Sequence, residues 1–596
     1  MSQREPPDYS RRQYRLAKLL VAIAGGALAV GLLTARATPP RGYEVSIYAA
    51  TPELFWVGAV AALLVALVVP VWCEGLPLRW GAGAVGTLAV VAIVGLPLVR
   101  GYYYYGGADA MTHLGWAKEL ATGVTAPTEV FYPGIHTVAT MLHGIAGMPV
   151  RRSLLFVVVL ATLVFVVFVG LLVRSFADRP PVAAVGVASA FMLLPLNNVA
   201  TELHPHPISQ ASLLSALLLF LLVRYLGTDR GEGRLGVTPT GVALGIVTVG
   251  LVLYHPQEAM VVLVLFGTIT LAQRLARRRD VRGRLRPLGW QTALLGGVFL
   301  LWVTQHQAFY SQVQGFFFQL ATLFSGGEVA GVVTQRGTSL SQVGSGYVEI
   351  FLKLFAGQAV YAALTGLLLL GVLTGRVQQW FDAERHRTLQ YLALAMVALA
   401  LFSAVHLAGG LSKLVFRYLA TMMVLATALG AVVLGRYLVG EGAGRLGKTV
   451  IVGVVALLVV AGVAAAFPSP YIYQASSQRT EAGFAGYDAA FEYADEDAEL
   501  AGVRQAIYRY RHAISGPSSS PWRGRSVPPE MFPDRVPAFF EATGYLMLSD
   551  IDEQREVVAY RGLRYQRDEF VAIALQRDVS RLQDTGSTQL YLVEGG

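Results

Sequence analysis

Apolar blocks of about twenty residues recur along most of this chain. An α-helix needs a block of that length to cross roughly 30 Å of hydrocarbon. They are read at 17–35, 54–72, 81–99, 153–173, 181–199, 208–226, 237–254, 256–273, 288–305, 347–373, 389–409, 414–435 and 449–467, thirteen in all. Only a helix or a closed barrel satisfies its own backbone in lipid, so this pattern implies an all-α polytopic membrane protein with about 13 transmembrane helices. Composition agrees. The 596 residues are 54% hydrophobic and 14% charged, where a soluble domain is about a quarter charged. Disordered chains need more charge than this. A single cysteine, Cys73, excludes a disulfide scaffold or a thiolate zinc site.

The formal charge of +9 divides unevenly. Residues 468–596 hold 13 Arg against 19 Asp and Glu, a net −6, and the remaining 467 residues hold +15. That excess lies in short loops, notably Arg274, Arg277, Arg278, Arg279, Arg282, Arg284 and Arg286. Such clustering orients spans and does not grip nucleic acid, which is not expected as a partner. With a cytoplasmic N-terminus, 24 of the 47 basic residues face the cytoplasm. The reading is a multi-pass plasma-membrane protein with a cytoplasmic tail at 1–16 and a membrane domain at 17–467. Two large exterior loops (100–152 and 306–346) and an exterior tail at 468–596 complete it. The stretch 133–148 is too short and polar for a span and reads as an interfacial helix.

Polar residues gather at the exterior ends. Asp109 and His113 are four apart in the first large loop, on one face of a short helix. The next exterior turn, TELHPHPISQ, holds Glu202, His204 and His206, and the one after, LYHPQEA, holds His255 and Glu258. A lone His-Pro at a helix start usually caps or kinks it. Two successive turns that pair His-Pro with a carboxylate at the membrane boundary are costly, and with Asp109 they suit a divalent ion (Mg2+ or Mn2+) or a phosphate-sugar. The 306–346 loop begins amphipathic and aromatic and ends Gly/Ser/Thr-rich with Glu328 and Arg336, the pattern of a lid. Lys413 and Arg417 lie one turn apart at the start of a span, where two cations suit a phosphate.

The tail is soluble in composition. AGYDAAFEYADEDAELAGVRQAIYRYRHAI reads as helix, EVVAYRGLRY and TQLYLVE as strands, and DEFVAIALQRDVSRLQ as a helix between them, giving a small α+β module. An Asp in the first large exterior loop, many spans, a long late exterior loop and a soluble exterior tail together resemble the GT-C superfamily of membrane glycosyltransferases, nearest its multi-span archaeal members. The resemblance covers essentially the whole chain, through diffuse motifs. It implies a polyprenyl (dolichyl) phosphate-linked sugar donor, a glycan or glycolipid acceptor, Asp109 as catalytic base, and Arg417 or Lys413 on the donor phosphate. Two departures stand out. An added N-terminal hairpin of two spans pushes the Asp back, and the loop that carries it has no D-x-D, only Glu119 or Glu129 downstream. The W-W-D-Y-G signature of oligosaccharyltransferases is missing from the sequence as well. Two alternatives fit less well: a flippase for lipid-linked glycans, which would bury charge mid-membrane, and a non-catalytic scaffold for envelope assembly.

Overall fold

The computed structural model describes residues 8–73, 75–177, 182–192, 202–227, 237–278, 285–324, 346–408, 412–439, 443–495, 498–503, 507–519 and 524–595. Within the described residues each of the thirteen apolar blocks contributes a helix. Among the described residues, ten helices are long and apolar enough to cross a membrane, not thirteen. Of the other three, Pro239–Tyr254 and Gly289–Val303 fall short, and the block 181–199, which holds Val182–Ala190, lies partly outside the described residues. Proline explains the first. Pro239 starts it, capped by the Thr238 hydroxyl, which accepts from the Gly241 amide, and His255-Pro256 ends it by starting the next helix. Exposed Leu301, Leu367 and Leu457 on the outer faces suit hydrocarbon, not water.

The first large loop folds into two helices, Asp109–Thr122 and Gly134–Ala146. Each stops at a glycine in the left-handed region, Gly123 (φ 77°) and Gly147 (φ 64°). The second helix buries Ile135, His136 and Ala139. At the base of the loop, buried Arg100 forms a forked ion pair with Glu44 (Nη2 to Oε1 2.8 Å) and donates to the Thr38 carbonyl at 3.0 Å. Tyr102 also bonds to Glu44. A buried guanidinium is tolerable only when matched in this way.

The tail is sewn onto this loop. Strand β1 (Tyr104–Tyr105) pairs antiparallel with β2 (Gln478–Arg479), Tyr104 opposite Arg479. The helix Ile507–Ser515 lies against the helix Asp109–Thr122. Tail residues Phe484, Tyr487 and Tyr510 share one apolar cluster with Phe55 and Leu67 of the bundle. Further out, the tail has its own core, including Phe532, Phe540, Leu546, Tyr565 and Tyr591. That core backs a five-stranded mixed sheet of order β4-β3-β5-β7-β6, with β3 (Leu500–Gly502), β4 (Arg525–Ser526), β5 (Gly544–Ser549), β6 (Val579–Asp584) and β7 (Thr588–Val593).

Several tail expectations are corrected. TQLYLVE is a strand, β7. The single helix expected before it breaks into Glu481–Tyr493 and Ile507–Ser515 with β3 between. EVVAYRGLRY is not a strand: Ser549 caps a helix at Asp550–Gln554 that runs on through Arg555–Ala559, with Arg555 paired to Asp552 at 2.6 Å. DEFVAIALQRDVSRLQ is helical within Arg567–Ala572 and through a 3-10 turn at Ile573–Leu575, and its last residues enter β6.

Candidate active site

The chain reaches Asp109 through Gly106, Gly107 and Ala108. Ala108 has φ 46°, a conformation that costs a side-chain-bearing residue on the order of 1–3 kcal/mol. This turn aims the first residue of the helix outward. The Asp109 side chain is 49% exposed, and its Oδ1 lies 2.5 Å from Nη2 of Arg509. Arg509 Nη1 donates to the Thr112 hydroxyl at 2.7 Å, and the Thr112 oxygen is 3.0 Å from His512 Nδ1. The guanidinium also stands over the Tyr508 ring, 4.6 Å from its centre. The loop carboxylate is therefore half of an ion pair whose other half comes from the tail, 400 residues later.

The docking that brings Arg509 here is specific. A Cβ on Gly115 would meet the His512 carbonyl oxygen at 2.0 Å, so the two helices touch backbone to backbone. Lys118 donates to the Ala513 carbonyl at 2.6 Å, near the end of the tail helix. Buried Glu119 accepts from the Ser518 amide at 2.8 Å and its hydroxyl at 3.0 Å. Gly516, at φ 94°, provides the left-handed turn between the two contacts.

One turn beyond Asp109, His113 is buried and its Nδ1 lies 3.1 Å from His136 Nε2. Around this pair stand Trp116 (5.6 Å between ring centres), Tyr132 (5.7 Å) and His206 (6.4 Å). Tyr132 stacks on His255 at 5.2 Å. His206 contacts His204 at 6.3 Å, His204 pairs with Glu202, and His206 Nδ1 is 3.0 Å from the Ser209 hydroxyl. Gln210 closes the turn, accepting from the His206 amide at 2.8 Å and donating to the His204 carbonyl at 3.1 Å. The first loop and the two His-Pro turns thus meet in one array of imidazole and aromatic rings, which joins Asp109 through the shared helix.

Glu258 does not join it. This side chain turns into the bundle, where it accepts from Ser212 (3.3 Å) and Thr421. Lys413 and Arg417 fall in the first turns of the helix Ser412–Val439, but their side chains lie outside the described residues. The lid residues Glu328 and Arg336 also lie outside the described residues, although the first half of that loop is a helix, Gln307–Phe324. Among the described residues no three His, Cys, Asp or Glu side chains stand close enough to hold a metal ion. The ring spacings above suit stacking and hydrogen bonding.

Burial sets the charge state of the array. It pushes His136 down to about 3 and His113 well below the usual imidazole value of 6.5, helped for His113 by the charges of His136, His206, His255 and Arg509. Both are neutral at physiological pH, which lets one donate to the other. The unfolded chain binds the His136 proton near pH 6.5 and the folded chain only near 3. Protonation therefore favours unfolding: stability is complete above about pH 6.5 and declines as pH falls toward 3, by up to about 1.4 kcal/mol per unit for this group. Melting temperatures of the purified protein measured from pH 7.5 to 4.5 should fall more steeply for wild type than for His136→Asn. Parallel curves would contradict this assignment.

The sequence reading missed Arg509 and His512. In IYRYRHAI they lie three apart and so share one helical face, a guanidinium and an imidazole on an aromatic helix.

Comparisons with known proteins follow from this geometry. The fold is similar to that of the Archaeoglobus fulgidus oligosaccharyltransferase tethered with an acceptor peptide: 11% identity, 81% of this chain and 71% of that one, TM-score 0.45. It is also similar to ArnT from Cupriavidus metallidurans bound to undecaprenyl phosphate: 14% identity, 87% of this chain and 97% of that one, TM-score 0.42. No curated protein matches the chain. Residues 106–506, from the glycines before Asp109 to the threshold of the tail helix that carries Arg509, match the model of a family of unknown function (DUF6541), and the chain belongs to that family.

Proposed function

We propose that the protein is a membrane glycosyltransferase of the GT-C type. It moves a sugar from a polyprenyl (dolichyl) phosphate donor to a glycan or glycolipid acceptor at the exterior face of the plasma membrane. The observation that carries this reading is Asp109: a half-exposed carboxylate at a helix start, beside a tail cation and the buried His113–His136 pair. Its carboxylate can take a proton from an acceptor hydroxyl. That oxygen attacks the anomeric carbon and the phosphate departs from the opposite face, a single displacement that inverts the centre. His206, Glu202, Tyr132 and Trp116, all partly exposed, offer hydrogen bonds and ring faces to the sugar. Buried His113 and His136 hold them in place. Lys413 and Arg417, by their position at a helix start, supply charge to the donor phosphate.

The test is the donor class. Membranes containing the protein, given radiolabelled sugar on polyprenyl phosphate, should pass label to a second glycan or lipid, and the same sugar on a nucleotide should not serve. Transfer from the nucleotide sugar alone would contradict the proposal.

The orientation is part of the same reading, motivated by the cationic loops. In a Cys73→Ala background, Ser580→Cys on exposed β6 should react with an impermeant maleimide on intact cells. Ala383→Cys, also exposed, should react only after permeabilisation. The opposite pattern would invert the topology.

A further inference from the structure

We infer that Arg509 is a phosphate ligand which exchanges partners during the reaction, leaving Asp109 for the phosphate of the lipid-linked donor. The inference rests on the glycosyltransferase reading above and assigns it a residue from the tail. Three features of the geometry support the exchange. The pair meets at Nη2 and Oδ1, 2.5 Å apart. It is open to the site, Asp109 being 49% and Arg509 22% exposed. And the guanidinium has a separate anchor, because Nη1 is held by Thr112 at 2.7 Å and the plane rests over Tyr508. Nη2 can therefore change acceptors while Nη1 stays, and a guanidinium binds phosphate oxygens as readily as carboxylate ones.

Of the nearby charges, Lys118 is bonded to the Ala513 carbonyl and Glu119 to Ser518, while Arg509 makes the direct contact with Asp109.

The chemistry drives the switch in one direction. A lone pair of the acceptor hydroxyl forms the new bond to the anomeric carbon. The bond from that carbon to the phosphate oxygen breaks, and its electron pair goes to the phosphate. The hydroxyl proton goes to Asp109. Asp109 thus loses its negative charge as the phosphate gains one, and the fixed positive charge of Arg509 follows the negative charge from one to the other. No net charge has to be created in the site, which is the condition for low reorganisation during bond breaking. Before substrate arrives, the same pair keeps both groups neutralised.

Binding of radiolabelled polyprenyl phosphate to the purified full-length protein tests this without requiring turnover. Arg509→Gln should weaken binding about 10- to 100-fold, the loss of one charge-assisted contact, and Arg509→Lys should recover part of it. Asp109→Asn should bind severalfold more tightly than wild type, because it releases the guanidinium. A misfolded protein would not gain affinity, so this variant separates the exchange from damage. Asp109→Asn with Arg509→Gln should bind as Arg509→Gln alone. If wild type binds but Arg509→Gln binds equally well, or Asp109→Asn gains nothing, Arg509 is only a structural clip and the inference falls while the proposed function stands. If wild type does not bind polyprenyl phosphate, the proposed function falls and takes the inference with it.

Discussion

Gly115→Leu should release the tail from the loop and abolish sugar transfer. Gly115 sits where the helix Asp109–Thr122 crosses the helix Ile507–Ser515, and even a methyl group there would stand 2.0 Å from the His512 carbonyl oxygen and 2.8 Å from Pro517 Cδ. The obstacle is backbone, which cannot rotate away as a side chain can. A leucine must therefore push the helices apart, and the short bonds across the seam go with them: Lys118 to Ala513 (2.6 Å), Arg509 to Thr112 (2.7 Å) and Glu119 to Ser518 (2.8 Å). Overpacking costs about 1–3 kcal/mol and each lost bond about 1 kcal/mol more. A combined loss of about 3 kcal/mol or more shifts the docked-to-undocked ratio by over about a hundredfold. Hydrogen exchange across 507–519 reads this directly: protection should collapse there while the amides of the bundle helices keep theirs. Retained protection in Gly115→Leu would mean that the seam is not the tail's attachment.

How much of this was legible in the sequence depends on whether a feature is local. The helices of the bundle follow from runs of apolar residues, and the loop helices from short stretches ended by Gly123 and Gly147, all readable within a window of twenty residues. The number of full-length spans was less legible. Pro239 and His255-Pro256 shorten a helix whose hydropathy alone reads as a span. The meeting of His113, His206 and His255 was suggested by a pattern repeated at successive turns on one side of the bundle, and the rings do approach. Glu258 shared that pattern but faces inward, because one turn of helix carries it past the end of the bundle to Ser212 and Thr421. Arg509 could not be read at all. Its role depends on a crossing of two helices 400 residues apart, set by the absence of a side chain at Gly115. In the tail, EVVAYRGLRY alternates like a strand, yet the Ser549 cap starts a helix just before it and the Arg555–Asp552 pair carries the helix through. Period-two patterning lost to a capping signal lying outside the segment.

Replacing Asp109 by Asn leaves the shape of the site but removes the base. The acceptor hydroxyl must then attack without giving up its proton in the transition state, which for a positioned general base costs about 10²–10⁴-fold. Folding should be spared, because the residue is half exposed at a helix start and the seam keeps its bonds from Lys118, Thr112 and Glu119. The measurement is the initial rate of sugar transfer from a polyprenyl-phosphate donor in membranes holding equal amounts of wild type and Asp109→Asn, with tail docking checked by exchange at 507–519. The account predicts a rate lower by about a hundredfold or more, with the tail still docked. A rate within about threefold of wild type, in a protein that keeps its tail in place, would contradict the assignment of this loop carboxylate as the centre of the chemistry.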